Sequence, residues 1–539
     1  MSTCRQQISP DNRNNFLSWL ILTLIILFTV VVRLRLLDFP LERDEGEYAY
    51  LGQLILQGIP PFSQAYSMKL PGAGLGYALI MLLFGQTITG IHLGLLLVNC
   101  MSIFLLFEVV KRLSNPNAGL VAALSYAVLS LSPGVLGFAA HATHFVVLTA
   151  LAGTFLLLKG FGSNGARWWL ASGFFFGLSF IMKQHAIFLV LFGVCAIVLE
   201  TFKSPPVRFK TAAAKILTFC AAAVLPYLLL VIFELLLGNF GKFWFWTAQY
   251  ASKYATALSF EIGYNVFKIN FTRVISAFEI LWVIAGIGLV IIFLDKRISN
   301  SKSFIVAYIL FSVLAVCPGF YFREHYFIIL LPAASLLIGL TIDYFDFLLS
   351  KTSKLLGYVP IALLLTAITS GLYTDRNYFF LEEPTTLSHL IYGANPFPES
   401  IKIAEYVKAN TRPGDRIAVL GSEPQIYFYS QRLAASGYIY MYGLLEEHNY
   451  NLTMQKEMIN EIESSAPKYI IFVNVYQSWL VRPTSEKYIF EWLDHYSANY
   501  EVVGNVDIIS PQETRYIWGE RAAAYRNGSN FFIVIFKRK

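Results

Sequence analysis

Apolar stretches long enough to cross a lipid bilayer recur through the first 373 residues of this chain and leave it few other ways to fold. A membrane-crossing helix needs about 20 mostly apolar residues. Runs of that kind lie at 16–37, 91–110, 118–138, 142–159, 167–182, 184–200, 214–237, 277–294, 303–319, 326–346 and 356–373, which predicts about eleven spans. The segment 74–85 is apolar but short. The 167–200 block is too long for one helix, and Lys183 interrupts it, so a hairpin with Lys183 at its turn is expected. With 56% hydrophobic residues, 14% charged residues and a mean hydropathy of +0.56, the chain is expected to be a polytopic α-helical membrane protein. Its net charge of +7 is scattered through loops, which argues against nucleic acid as a partner.

The loops also predict an orientation. With Arg5 and Arg13 cytoplasmic, the loops on that side carry Lys111 and Arg112, Lys159 and Arg167, Lys203, Arg208, Lys210 and Lys215, then Lys296, Arg297 and Lys302, and finally Lys351 and Lys354. Each is basic, as the positive-inside rule requires, and the odd number of spans puts the C-terminal part outside. The longer outer loop from Gly238 to Ser276 is itself basic, with Lys242, Lys253, Lys268 and Arg273. The first run has no small-residue cleavage site and reads as an uncleaved anchor in the plasma (inner) membrane. The five cysteines (Cys4 in the tail, Cys100, Cys195, Cys220 and Cys317 in apolar spans) show no metal-ligand spacing, and the hydrophilic C-terminal part has none.

Against that background the stretch Arg43-Asp44-Glu45-Gly46-Glu47-Tyr48 stands out, with three carboxylates in four positions just after the first span. An amphipathic stretch follows, with Tyr48, Leu51, Leu54 and Ile55 at helical spacing. Then Tyr66-Ser67-Met68-Lys69-Leu70-Pro71-Gly72 returns a lysine to the same neighbourhood. The expected parity places Asp44, Glu45, Lys69, Lys183, Arg323, His141, His144 and His325 on one outer rim. Ionisable groups at such a rim are functional candidates. His141 and His144 have the i, i+3 spacing that puts two imidazoles on one helix face. No third ligand is evident, and a hydrogen-bonding role is expected there.

From about Leu381 the composition changes. A helix at 401–410, a turn at Thr411-Arg412-Pro413-Gly414-Asp415, a strand at 416–421, a helix through Tyr429, a helix around 454–464 and strands at 467–473 and 531–536 predict a small α/β domain. The expected division is a membrane domain over 1–380, with an outer loop at 38–90, and an extracytoplasmic α/β domain over 381–539.

The order of acidic pair, Lys-x-Pro, a lysine among the middle spans, and Arg323-Glu324-His325-Tyr326 before the Leu331-Pro332 span resembles glycosyltransferases of the GT-C fold, family 39. That family includes protein O-mannosyltransferases and the aminoarabinose transferase that modifies lipid A, and this chain is most similar to its bacterial mannosyltransferase-like branch over residues 16–373. The resemblance implies an enzyme that moves a hexose or pentose from a polyprenyl-phosphate carrier to an acceptor at the extracytoplasmic face, with inversion. The acceptor is a protein, lipid or glycan. On this basis Asp44 is the general base, with Glu45 supporting it. Lys69, Lys183 and Arg323 bind the donor phosphate. His141, His144, His325 and Tyr326 contact substrate. In the aminoarabinose transferase a glutamate precedes the lysine and helps to hold a metal. Here that position is Met68, and Leu70 separates Lys69 from Pro71, so no metal or other cofactor is expected to be required. The competing reading is a secondary transporter or flippase of a lipid-linked or anionic substrate. It sets the same charges near mid-membrane and commonly carries two similar halves, which this sequence lacks.

Overall fold

In the computed structural model, which describes residues 10–163, 165–203 and 209–539, the long apolar runs form helices. Cys4, Arg5, the Arg13 side chain and Arg208 lie outside the described residues. Seven described helices are long and apolar enough to cross a membrane: Phe16–Arg35, Ile88–Leu113, Ala142–Phe161, Gln184–Phe202, Phe209–Leu236, Leu331–Ser350 and Lys354–Thr374. The pair Phe260–Ile275 and Glu279–Leu294, bent by 110° at its break, brings the number to eight if it is one span. Gly72–Phe84, Pro116–Leu129 and Lys302–Leu314 are shorter apolar helices. Lys183 ends the helix Ala166–Met182 and precedes Gln184–Phe202, so the charge sits at the turn. The stretch expected as a plain outer loop, Gly238 to Ser276, is itself largely helical.

By packing, the chain divides into two units. The first comprises Met1–Arg35, Leu95–Leu229 and Ala257–Leu381. Its helices touch through small and hydroxylic residues, as membrane helices do. The Ser172 hydroxyl, for example, donates to the Gly153 carbonyl at 2.8 Å. Its buried Arg33 is paired, donating to the Asn99 amide oxygen and to the Phe138 carbonyl.

The second unit comprises Leu36–Gly94, Leu230–Thr256 and Glu382–Lys539. Its centre is a six-stranded sheet of β1 (Arg416–Leu420), β2 (Leu433–Ala434), β3 (Tyr469–Asn474), β4 (Tyr500–Ser510), β5 (Glu513–Trp518) and β6 (Phe532–Arg538), in the order β2-β1-β3-β6-β4-β5. β1 pairs in parallel with β2 and β3, and the remaining pairs are antiparallel. The near-continuous apolar runs of β1 and β3 suit central strands covered on both faces. Within this unit, residues 36–94 pack with the C-terminal residues. The helix Arg43–Leu56 lies against Gln425–Ser430, and a Cβ on Gly46 would stand 2.6 Å from the Gln425 backbone nitrogen. Only glycine permits that approach.

Candidate functional site

The acidic stretch folds as the start of a helix because its own side chains satisfy the open end. Glu42 is the N-cap and accepts from the Glu45 backbone N–H at 2.9 Å, while the Glu45 carboxylate accepts from the Glu42 N–H at 3.3 Å. This capping box and the helix dipole both favour carboxylates in the first turn. Arg43 faces the other way and locks the turn in place. It donates to the Ser422 carbonyl at 2.6 Å, to the Asn395 amide oxygen at 3.0 Å and to the Glu423 carboxylate at 2.8 Å. Glu423, fully buried, is held in turn by the Ser478 hydroxyl. A buried charge needs partners of this kind.

The three acids then have distinct surroundings. Glu45 is buried, with His92 Nε2 3.1 Å from its oxygen, and the other His92 nitrogen lies 2.7 Å from the Leu37 carbonyl. Both ring nitrogens therefore face oxygen atoms. Glu47 is buried and accepts from the Ser67 hydroxyl and from Lys69 at 2.6 Å. Asp44 retains exposure, 18% of its side chain, and accepts from Lys69 at 2.8 Å. Lys69 thus spans both carboxylates, and its ammonium also lies 4.6 Å from the centre of the Tyr48 ring and 5.6 Å from that of Tyr440. Burial alone would lower its pKa. Asp44 and Glu47 outweigh that effect and hold it well above the ordinary value. The Tyr440 hydroxyl reaches Asp44 at 3.4 Å, and burial, then Asp44, keep that phenol well above its usual range. Glu42 is pushed up to about 8 by burial, then by the charges of Asp44 and Glu45.

Of the residues singled out from sequence, Asp44, Glu45 and Lys69 belong to this unit. Lys183, Arg323, His141, His144, His325 and Tyr326 belong to the other, where most of them form an aromatic and cationic group of their own. The His141 and His325 rings stack at 4.1 Å and 15°. Tyr326 is the hub, with His325 at 4.9 Å, His185 at 4.7 Å and the Lys183 ammonium 4.1 Å over its ring. His144 is fully buried at the first turn of Ala142–Phe161. Arg323, half-buried, lies over the Tyr321 ring at 5.8 Å. It follows a segment in which Gly319, Phe320 and Phe322 all adopt positive φ, a conformation that costs energy at the two phenylalanines. A cavity of about 710 Å³ elsewhere in this unit, lined in part by Asn115, Arg297, Asp343 and Lys351, contains none of the sequence candidates.

The fold adds His185, His92, Tyr440 and Glu47 to the residues singled out from sequence. Glu47 carried a signal, since its i, i+3 spacing from Asp44 puts both on one helix face. His185, two residues from Lys183, was legible as a neighbour. Tyr440 lies 396 residues from Asp44 and gave none.

A family model described as dolichyl-phosphate-mannose-protein mannosyltransferase matches residues 69–230. No curated protein sequence matches the chain. Among solved structures, ArnT from Cupriavidus metallidurans bound to undecaprenyl phosphate is similar with a TM-score of 0.57 at 14% identity, over 95% of this chain and 97% of that one. The apo form of the same protein gives 0.58 at 12% identity, over 95% and 97%. The archaeal oligosaccharyltransferase AglB from Archaeoglobus fulgidus, in complex with an inhibitory peptide and a dolichol-phosphate, gives 0.53 at 12%, over 94% and 75%. The chain has the GT-C fold. In this GT-C chain the matched family region begins at Lys69 and includes His141, His144 and Lys183, whereas Asp44, Arg323 and His325 lie outside it.

Proposed function

We propose that this protein is a membrane glycosyltransferase that moves a sugar from a polyprenyl-phosphate donor to an acceptor hydroxyl at the extracytoplasmic face, with the C-terminal residues on that side. The observation that carries the proposal is the partly exposed Asp44 carboxylate beside two buried acids, in a chain with the GT-C fold and a mannosyltransferase family match. Asp44 is the general base. The Lys69 ammonium at 2.8 Å holds its carboxylate in place. The acceptor oxygen attacks the anomeric carbon as its proton passes to Asp44. The bond from that carbon to the phosphate oxygen breaks, and its electron pair leaves on the lipid phosphate, so the anomeric configuration inverts. Glu45, tied into the capping box and beside His92, keeps the turn in register.

Growing charge on the leaving phosphate calls for cations, and Lys183 and Arg323 are assigned that role. Lys183, supported on the Tyr326 face, acts as a point charge, and Arg323 offers a fork to two oxygens. His141 and His325 are assigned to substrate hydroxyls. Lys69, committed to two carboxylates, is assigned to positioning Asp44 in place of binding phosphate.

The experiment is incubation of purified protein with a panel of polyprenyl-phosphate sugars and acceptors, alongside Asp44→Asn. Turnover by the wild type and its loss in a folded, membrane-inserted Asp44→Asn variant is expected. Wild-type turnover in the variant would remove the base assignment, and no turnover with any donor would remove the reading as a whole.

A further inference from the structure

The C-terminal residues do more than hold the acidic helix. Two irregular stretches, Tyr66 to Lys69 and Gly437 to Tyr440, run side by side in the same direction. The Tyr66 N–H donates to the Gly437 carbonyl at 2.7 Å, the Tyr66 and Tyr438 rings meet edge to face at 5.2 Å, and three residues further on Lys69 meets the Tyr440 ring. The approach is close: a Cβ on Gly437 would stand 2.3 Å from the Tyr66 ring. One end of this floor is Asp44 with Lys69. At the other end lies a cleft of about 360 Å³, within the size range of small-ligand sites. Three residues of backbone lead from Tyr66 to Lys69, about 10 Å at full extension, a length on the scale of a short oligosaccharide.

The cleft is lined with hydroxyls, an amide and one charge of each sign: Gln64, Arg416, Ser436, Glu461, Ser464 and Ser465. Glu461 is fixed by the Tyr66 and Ser436 hydroxyls and the Gly437 N–H, so it presents a held acceptor. Tyr66 is braced from behind by Trp246, stacked at 5.9 Å, and by the Lys242 ammonium 3.8 Å over its ring. A peptide strand is a poor occupant, although β2 is an edge strand of the sheet. The Ala434 N–H donates to the Tyr50 hydroxyl and its carbonyl accepts from Arg416. The Ala435 N–H donates to the Ile417 carbonyl and its own carbonyl accepts from the Ser465 hydroxyl. The backbone edge that strand addition requires is therefore already used. What remains to meet a ligand is the Gln64 amide nitrogen and the Ser464 hydroxyl beside the held Glu461 carboxylate, short-reach polar chemistry suited to a polyol.

We infer that this cleft is a subsite for a sugar unit of a glycan acceptor, set back along the 66–69/437–440 floor from the hydroxyl that Asp44 deprotonates. The inference rests on the transferase reading for its link to catalysis, but its binding test does not.

Saturation-transfer NMR on the purified full-length protein, with oligomers of mannose, arabinose and N-acetylglucosamine from one to four units and a serine-threonine peptide, tests it. At least one oligomer series is expected to bind about tenfold more tightly at three or four units than as the monosaccharide. Filling the exposed rim with Ser464→Trp should abolish that gain, and Gln64→Ala should reduce it. Asp44→Asn should leave it intact. Length-independent binding, a gain that survives Ser464→Trp, or a Ser464-sensitive site that takes the peptide instead would each overturn the inference. Length-dependent binding without transfer from any polyprenyl-phosphate sugar would leave a sugar site and remove the transferase. Transfer without length dependence would do the reverse.

Discussion

At the residue scale the decisive pair is Lys69 with Glu47. Glu47 is 3% exposed and has the ammonium at 2.6 Å. Lys69→Met removes that charge and leaves a buried carboxylate uncompensated, which should cost about 3 kcal/mol of stability. Adding Glu47→Gln should recover at least half of the loss in denaturation measurements in detergent, and failure to recover would show that the pair is not the source. Glu42 makes a prediction in pH. Its carboxyl is raised from an ordinary 4.5 to about 8 by burial and two neighbouring acids. Between those values the native chain binds the proton more tightly than the unfolded chain. The stabilisation is complete at low pH and lost as pH rises through about 8. The slope has an upper bound of about 1.4 kcal/mol per pH unit. Glu42→Gln keeps a cap oxygen and should flatten the dependence of the melting temperature on pH between 5 and 8; parallel curves for the two proteins would refute this.

At the element scale the helix Arg43–Leu56 depends on contact with Gln425–Ser430. Gly46→Ala inserts a methyl where 2.6 Å is available. It should cost about 1–3 kcal/mol and depress transfer by shifting Asp44, a loss that an intact melting curve and full turnover would contradict. The elements legible in the sequence were those with one dominant signal. The apolar runs gave helices, the lysine at 183 gave a turn, and the unbroken apolar strands at 416–420, 469–474 and 532–538 gave the middle of the sheet. β4 and β5 escaped because Glu501, Asn505 and Asp507 dilute the first of them. Asp507 is a buried carboxylate that ties down Gly528 and Ser529, so its polarity marks a loop anchor and not a solvent face. The helix Phe260–Ile275 escaped because Lys268 and Arg273 read as loop charge. The candidate site was legible in its acids and not in its setting. Local spacing reports a helix face, whereas Tyr440 reaches Asp44, and Glu423 reaches Arg43 on the other side, only through the tertiary fold.

At the scale of the whole molecule, the C-terminal residues are part of the unit that holds Asp44. Truncation after Leu381 should therefore abolish transfer, because it strips Arg43 of Glu423, Ser422 and Asn395. Glu423→Ala in the full-length chain should lower transfer in the same direction while leaving the protein in the membrane fraction, and a truncated chain that retains turnover would refute the dependence. The Arg43–Glu423 pair has a further consequence in time. Its partners are 380 residues apart. At ribosomal speeds of roughly 5–20 residues per second, the second partner emerges some 20 to 80 s after the first. Through that interval the nascent acidic turn has no finished seat, so under the proposed mechanism the half-made polypeptide lacks a positioned base.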